Sequence, residues 1–236
     1  MRLTGRLAVS LPMLAALATL AACERSSNES AESPAPAPAL ETDAPPEGVL
    51  RVYVWECDGG LTLTMKNLFR ENAITIGLHE GARRLPQVRS ASGARYADDT
   101  VSFWTKGQTA MFERKGEPAI NCRESRAKSL DADARERGVS YRGQGNEPGW
   151  TLEIGPGQSL TYETNYGQER HEFENVTTQA GADARVTVYR GQHGDMPIKV
   201  TVAKEACRDD MSGDDFDHRF VVEFGGQTYR GCGWAL

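Results

Sequence analysis

From residue 50 onward, the apolar side chains of this 236-residue chain recur at every second position rather than every third or fourth. Leu61, Leu63 and Met65 alternate with threonines, and Ile74, Ile76 and Leu78 repeat the pattern. Leu50, Val52 and Val54 come before them; Val101 with Phe103, then Met111 after a gap, come after. A period of two places one face of an extended strand against a core, whereas a helix needs a period near 3.6. Turn signals at Asp58-Gly59-Gly60, Ser92-Gly93 and Lys106-Gly107 punctuate the runs. Short strands between such turns predict an antiparallel barrel or sandwich. The second half reads alike, with strands expected at Trp150–Ile154, Leu160–Thr164, Arg185–Tyr189, Ile198–Val202 and Arg219–Phe224. The fold class expected is all-β, in two β-rich domains.

The chain opens MRLTGRLAVSLPMLAALATLAAC: Arg2 and Arg6, an apolar run, then small residues. This reads as a signal peptide over 1–22, too short and wrongly flanked for a permanent span. Its end, Leu20-Ala21-Ala22-Cys23, resembles the bacterial lipobox, which implies Cys23 as the lipidated first residue of the mature chain. Glu24 in place of Asp implies, by the same resemblance, the outer membrane, with the chain lipid-anchored and facing the periplasm. Firm anchoring takes more than one acyl chain, which such lipoproteins carry. Residues 23–48 are rich in Pro, Ala, Ser and acids without an aromatic, and read as a disordered tether. The expected domains are 49–125 and 139–236, joined by a polar, proline-free segment, 126–138, that suits a short solvated helix ending at Gly138.

Five cysteines less Cys23 leave Cys57, Cys122, Cys207 and Cys232 for an oxidising compartment. Four cysteines allow three pairings and the sequence does not choose; chain order suggests Cys57–Cys122 and Cys207–Cys232. Zinc is the rival reading, but CxxC or clustered His–Cys spacing is lacking. Residues 47–125 carry 11 basic and 10 acidic side chains, and residues 126–236 carry 13 and 18. Neither half is basic enough to recruit nucleic acid.

Three segments of the first domain, in this order, carry a resemblance: Trp55-Glu56-Cys57-Asp58-Gly59-Gly60, Ser90-Ala91-Ser92-Gly93-Ala94-Arg95-Tyr96, and Trp104-Thr105-Lys106-Gly107-Gln108-Thr109-Ala110 before Cys122. Together the region from about Val52 to Cys122 resembles the membrane-bound inhibitors of C-type lysozyme. Trp55-Glu56-Cys57 departs from that family's Tyr-x-Cys opening. The resemblance implies an eight-stranded antiparallel barrel, closed by a disulfide, that obstructs the lysozyme cleft with two loops. It makes Ser92 and Lys106 the residues that reach the enzyme's catalytic carboxylates, with C-type lysozyme as the protein partner.

The chemistry of the pair suits that role. Such an enzyme faces one protonated and one ionised carboxyl across its cleft. A serine hydroxyl donates to or accepts from a carboxyl in either state, and a lysine ammonium pairs with the ionised one. Arg95 is a candidate second contact, or simply surface cover. Tyr96 and Trp104 fit barrel or rim packing better than enzyme contact, although Tyr96 is kept as a candidate contact. A basic enzyme would be steered by acidic groups; in the near-neutral first domain Asp98-Asp99 is the local acidic pair, and the tether and second domain hold most of the negative charge.

The second domain resembles an uncharacterised domain of bacterial envelope lipoproteins through Gly145-Asn146-Glu147-Pro148, Cys207-Arg208-Asp209-Asp210-Met211-Ser212-Gly213 and Gly231-Cys232-Gly233. Gly143-Gln144-Gly145 is not a dinucleotide loop, since the third glycine position is Pro148 and no βαβ unit surrounds it. The aspartates at 209, 210, 214, 215 and 217 fail the EF-hand spacing and read as a solvated acidic hairpin loop. Glu147 and Trp150 are candidates for lining a glycan groove. His171, His193 and His218 lie far apart, and no serine sits in a nucleophile-elbow context. The expectation is therefore an inhibitor without cofactor or metal, not an enzyme. The alternative is an envelope-maintenance or peptidoglycan-binding lipoprotein acting through residues 139–236.

Overall fold

The computed structural model describes Pro45 and residues 49–236. The signal peptide, Cys23 and the tether other than Pro45 fall outside the described residues. Eight strands follow one another: β1 Val52–Cys57, β2 Thr62–Leu68, β3 Ala73–Leu78, β4 Gly81–Val88, β5 Ala94–Ala97, β6 Val101–Lys106, β7 Thr109–Arg114 and β8 Ile120–Glu124. Each pairs antiparallel with the next, and β8 returns to β1, so the sheet closes into a barrel. Leu63, Met65, Ile74, Ile76, Leu85 and Phe103 fill the interior, as the alternation of β2, β3 and β6 predicts. Burial stabilises each such side chain by about 1.5–3 kcal/mol. Trp55, where the resemblance expects Tyr, lies inside the barrel with its ring edge-on to Phe103 at 5.5 Å. Cys57 faces Cys122 across the β1–β8 ladder, and the two form a disulfide.

Two sequence expectations are corrected. On β7 the inward residues are Ala110 and Phe112, and Met111 points the other way. On β1 the barrel interior receives Tyr53, Trp55 and Cys57, while Val52 and Val54 are buried without joining that core. The cause is the helix α1, Arg126–Glu136.

Strand β8 bonds only to Trp55–Cys57, and α1 completes the edge of β1 beyond it. The Ser125 amide donates to the Val54 carbonyl at 2.9 Å, and Ser129 Oγ accepts from the Val54 amide at 2.9 Å. Asp133 Oδ1 accepts from the amides of Arg51 and Val52 at 2.6 and 3.2 Å. Residues 125, 129 and 133 are spaced by four and share one helix face. Side chains thus satisfy backbone donors that a neighbouring strand would otherwise pair. The helix ends at Gly138 (φ 78°), whose left-handed conformation costs little without a Cβ. It is not the solvated linker expected from its composition: Ser129, Asp133 and Ala134 are buried.

The same face reaches forward. Arg137 donates to Asp133 Oδ2 at 2.9 Å and, through both terminal nitrogens, to Glu153 at 2.7 and 3.1 Å. Arg142 donates to Asp131 at 2.6 Å. Glu153 and Arg142 belong to the second sheet, built from β9 Tyr141–Asn146, β10 Gly149–Ile154, β11 Leu160–Thr164, β12 Glu169–Phe173, β13 Thr177–Ala180, β14 Val186–His193 and β15 Met196–Ala203, then, past the short ribbon β16 Cys207–Arg208 and β17 Asp215–Phe216, β18 His218–Phe224 and β19 Gln227–Ala235. Its nine strands run β12-β11-β10-β9-β19-β18-β15-β14-β13, all antiparallel, around a core of Trp150, Tyr162, Phe173, Val200, Phe220 and Val222.

The glycines of β9 and β19 are floors for aromatic rings. Gly143 and Gly233 pair across the ladder beneath Phe220; a Cβ on Gly143 would meet that ring at 2.8 Å. Gly145 and Gly231 lie beneath Trp150 in the same way. Trp150 is therefore only 3% exposed and unavailable to stack on a glycan, which corrects that candidate role.

Candidate functional site

Strands β5 and β6 bring the two glycine loops together. Their register pairs Ala94 with Thr105, which sets the β4–β5 loop (89–93) beside the β6–β7 turn at Lys106-Gly107. Gly93 lies against the end of β6: a Cβ there would stand 2.1 Å from the Thr105 carbonyl oxygen and 3.3 Å from the Lys106 Cβ. Such an approach, with φ at 66°, admits only glycine. The indole Nε1 of Trp104 donates to the Ser92 carbonyl at 2.7 Å, and Thr105 Oγ1 to that of Ala94 at 3.3 Å. Within the loop Ser90 Oγ donates to the Gly93 carbonyl at 3.1 Å.

The Lys106 turn is braced separately. Thr109 Oγ1 donates to the Lys106 carbonyl at 2.9 Å, and the Glu124 amide to that of Gln108 at 3.0 Å. Ser92 and Lys106 are both exposed, and among the described residues neither the Ser92 hydroxyl nor the Lys106 ammonium has a partner. A hydroxyl and a cation thus stand on adjoining loops of one rim, each with its backbone fixed and its donor group open to solvent. A surface groove of about 490 Å³ runs from Lys106 down the outer wall, past Trp104 and Met111 to Glu56 and Asp58. The convergence of those two carboxylates on the Lys106 side was not read from the sequence, because it depends on barrel closure between β8 and β1.

Arg95 and Tyr96 are placed differently from the loop residues. Arg95 donates to Ser102 Oγ at 3.0 Å and pairs with Glu113 at 3.5 Å, so it lies along the outer wall. Tyr96 packs against the barrel core, and burial pushes its phenol pKa up. Asp98 and Asp99 sit at the opposite end of the β5–β6 hairpin, away from Lys106. Although partial burial pushes the Asp98 carboxyl up, the amides of Thr100 and Val101 and the Arg83 guanidinium hold it down at about 2. Its charge is spent on its own turn and on Arg83, at 2.5 Å.

In the second domain the three segments singled out in the sequence converge. Asn146 Nδ2 donates to both oxygens of Asp209 at 3.1 and 3.0 Å, and Asp209 Oδ1 accepts from the amides of Met211 and Ser212. Cys207 and Cys232 form the second disulfide beside them. The backbone amide of Ser212 is the largest influence drawing the Asp209 carboxyl below the usual range. Asp209 is only 5% exposed, so the reading of a solvated acidic loop is corrected at that residue: it is the internal brace of the turn. Among the described residues no group of three or more His, Cys, Asp or Glu is arranged to hold a metal ion.

The first domain is thus a closed eight-stranded barrel with two glycine-containing loops side by side on one rim. In comparison with known proteins, residues 55–121 match the family model described as membrane-bound lysozyme-inhibitor of c-type lysozyme. A stretch of 70 residues is 41% identical to the membrane-bound lysozyme inhibitor of C-type lysozyme of Yersinia enterocolitica serotype O:8 / biotype 1B. That stretch is 29% of this chain and spans 59% of the relative's length. No solved structure matches the chain. Among the described residues no helix is long and apolar enough to cross a membrane.

Proposed function

We propose that this chain inhibits C-type lysozyme by seating the Ser92 and Lys106 loops in the enzyme's cleft. The observation that carries the reading is the shared rim. A hydroxyl and an ammonium, each without a partner among the described residues, are held by adjoining, internally bonded loops within the region matched to the inhibitor family. The Lys106 ammonium pairs with the ionised carboxylate of the enzyme, and the Ser92 hydroxyl bonds to whichever carboxyl faces it. Both loops are organised before binding, so little conformational freedom is lost in the complex. The chain is held at the outer membrane, facing the periplasm, through acylated Cys23. Steering of a basic enzyme comes from the tether and the second domain rather than from Asp98, whose charge is already matched.

The test is titration of a C-type lysozyme with the chain and with Ser92→Ala, Lys106→Ala and the double variant. Truncating one member of a desolvated charged pair costs about 2–5 kcal/mol, roughly thirtyfold to several thousandfold in affinity. Full inhibition by the double variant refutes the assigned residues; no inhibition by the unaltered chain refutes the function.

A further inference from the structure

We infer that Trp104 is a positioning residue for inhibition, acting through Ser92 and not through Lys106. The inference rests on the reading above and adds to it a division of labour between the two loops.

Trp104 lies on β6, on the outer wall, two residues before Lys106. Its indole N–H is the one side-chain donor from the neighbouring strand that reaches the Ser92 carbonyl among the described residues, at 2.7 Å. The β4–β5 pairing ends at Val88–Arg95, so residues 89–93 have no ladder of their own. What fixes them is the Ser90–Gly93 bond, the close seat of Gly93 on Thr105, and the Trp104 N–H. The first two hold the Gly93 end of the loop; among the described residues only the third bonds the Ser92 carbonyl itself, within the peptide unit that joins Ser92 to Gly93. Fixing that peptide sets the direction of the Ser92 Cα–Cβ bond and restricts the χ1 wells open to its hydroxyl, because allowed rotamers depend on backbone dihedrals.

Lys106 has no such dependence. Its turn is closed by Thr109 Oγ1, and the adjoining Gln108 carbonyl is tied to β8 through the Glu124 amide. Loss of the indole N–H therefore releases one contact and leaves the other in place. This asymmetry separates positioning from a general structural role, which would weaken both contacts together.

The experiment is a pair of double-mutant cycles on the full chain, read as inhibition constants against C-type lysozyme. Trp104→Phe keeps an aromatic ring and removes the donor. A second variant, with benzothienylalanine at position 104, keeps the bicyclic shape and replaces N–H by sulfur. The expected result is a twofold to tenfold rise in the inhibition constant for either variant, the range that a single net hydrogen bond supports. Ser92→Ala then costs less in either background than in the unaltered chain, whereas Lys106→Ala costs the same. Amide exchange at residues 91–94 rises, and exchange in β2 and β3 does not change.

Additive losses for Trp104→Phe and Ser92→Ala, or unchanged inhibition by both Trp104 variants, overturn the inference and leave the Ser92–Lys106 reading standing. If Ser92→Ala and Lys106→Ala are themselves without effect in the unaltered chain, that reading fails and the positioning role falls with it.

Discussion

Gly93 and Thr105 approach so closely that a single added carbon on Gly93 would stand 2.1 Å from the Thr105 carbonyl oxygen. The Ser92 loop lies directly on the strand that carries Lys106. Gly93→Ala therefore displaces the loop as well as straining a backbone with φ at 66°. The left-handed conformation alone costs a residue with a Cβ about 1–2 kcal/mol. Calorimetry is expected to show a modest fall in stability, and inhibition assays a rise of tenfold or more in the inhibition constant.

Asp133 binds the two halves of the protein. Its carboxylate receives the Arg51 and Val52 amides on one side and the Arg137 guanidinium on the other, and Arg137 continues to Glu153 of the second sheet. Asp133→Ala leaves buried donors without acceptors, a loss of about 2–4 kcal/mol. Urea unfolding followed separately in each sheet is expected to show both weakened. For the same reason we propose that the inhibitor-like folding unit runs past residue 125 to Gly138: a fragment ending at Ser125 lacks Ser129 and Asp133 and is expected to melt below one ending at Gly138.

Asp98 makes stability depend on pH over a narrow window. Its folded-state pKa of about 2 lies below the ordinary value of 3.8. The unfolded chain thus binds the proton first, and the contribution of Asp98 is fully present above about pH 4. It is lost as pH falls from about 4 through 2. Melting temperatures of the unaltered chain and Asp98→Asn are expected to differ at pH 6 and to converge near pH 2.

The Cys207–Cys232 disulfide closes a separation of 25 residues beside the Asn146–Asp209 brace. On the chain-entropy model it stabilises the fold by about 3.5 kcal/mol. Replacing both cysteines with Ala is expected to lower the unfolding midpoint of the second sheet. Inhibition measured below that midpoint is expected to persist, because Ser92 and Lys106 are held by the first barrel.

Where burial followed strand periodicity alone, the sequence was legible. Leu63, Met65, Ile74 and Ile76 alternate because one face of their strands meets the barrel interior. Val52 and Val54 misled because their side of β1 is buried too, beneath a helix whose polar composition hides Ser129 and Asp133 as backbone acceptors. Strands β9 and β19 escaped notice because glycine is a poor strand former. Only the folded sheet shows that Phe220 and Trp150 need the space a side chain would take. The Ser92 and Lys106 loops were visible as glycine turns. Their adjacency follows from the Ala94–Thr105 register, and the indole bond from Trp104 to Ser92 had no signal in the sequence.

The most direct measurement is inhibition of C-type lysozyme by the full chain beside the Ser92→Ala/Lys106→Ala double variant, with melting temperature recorded for both. The account predicts strong inhibition by the first, a loss of at least about thirtyfold in the second, and equal melting temperatures. Equal inhibition by the two proteins would contradict it.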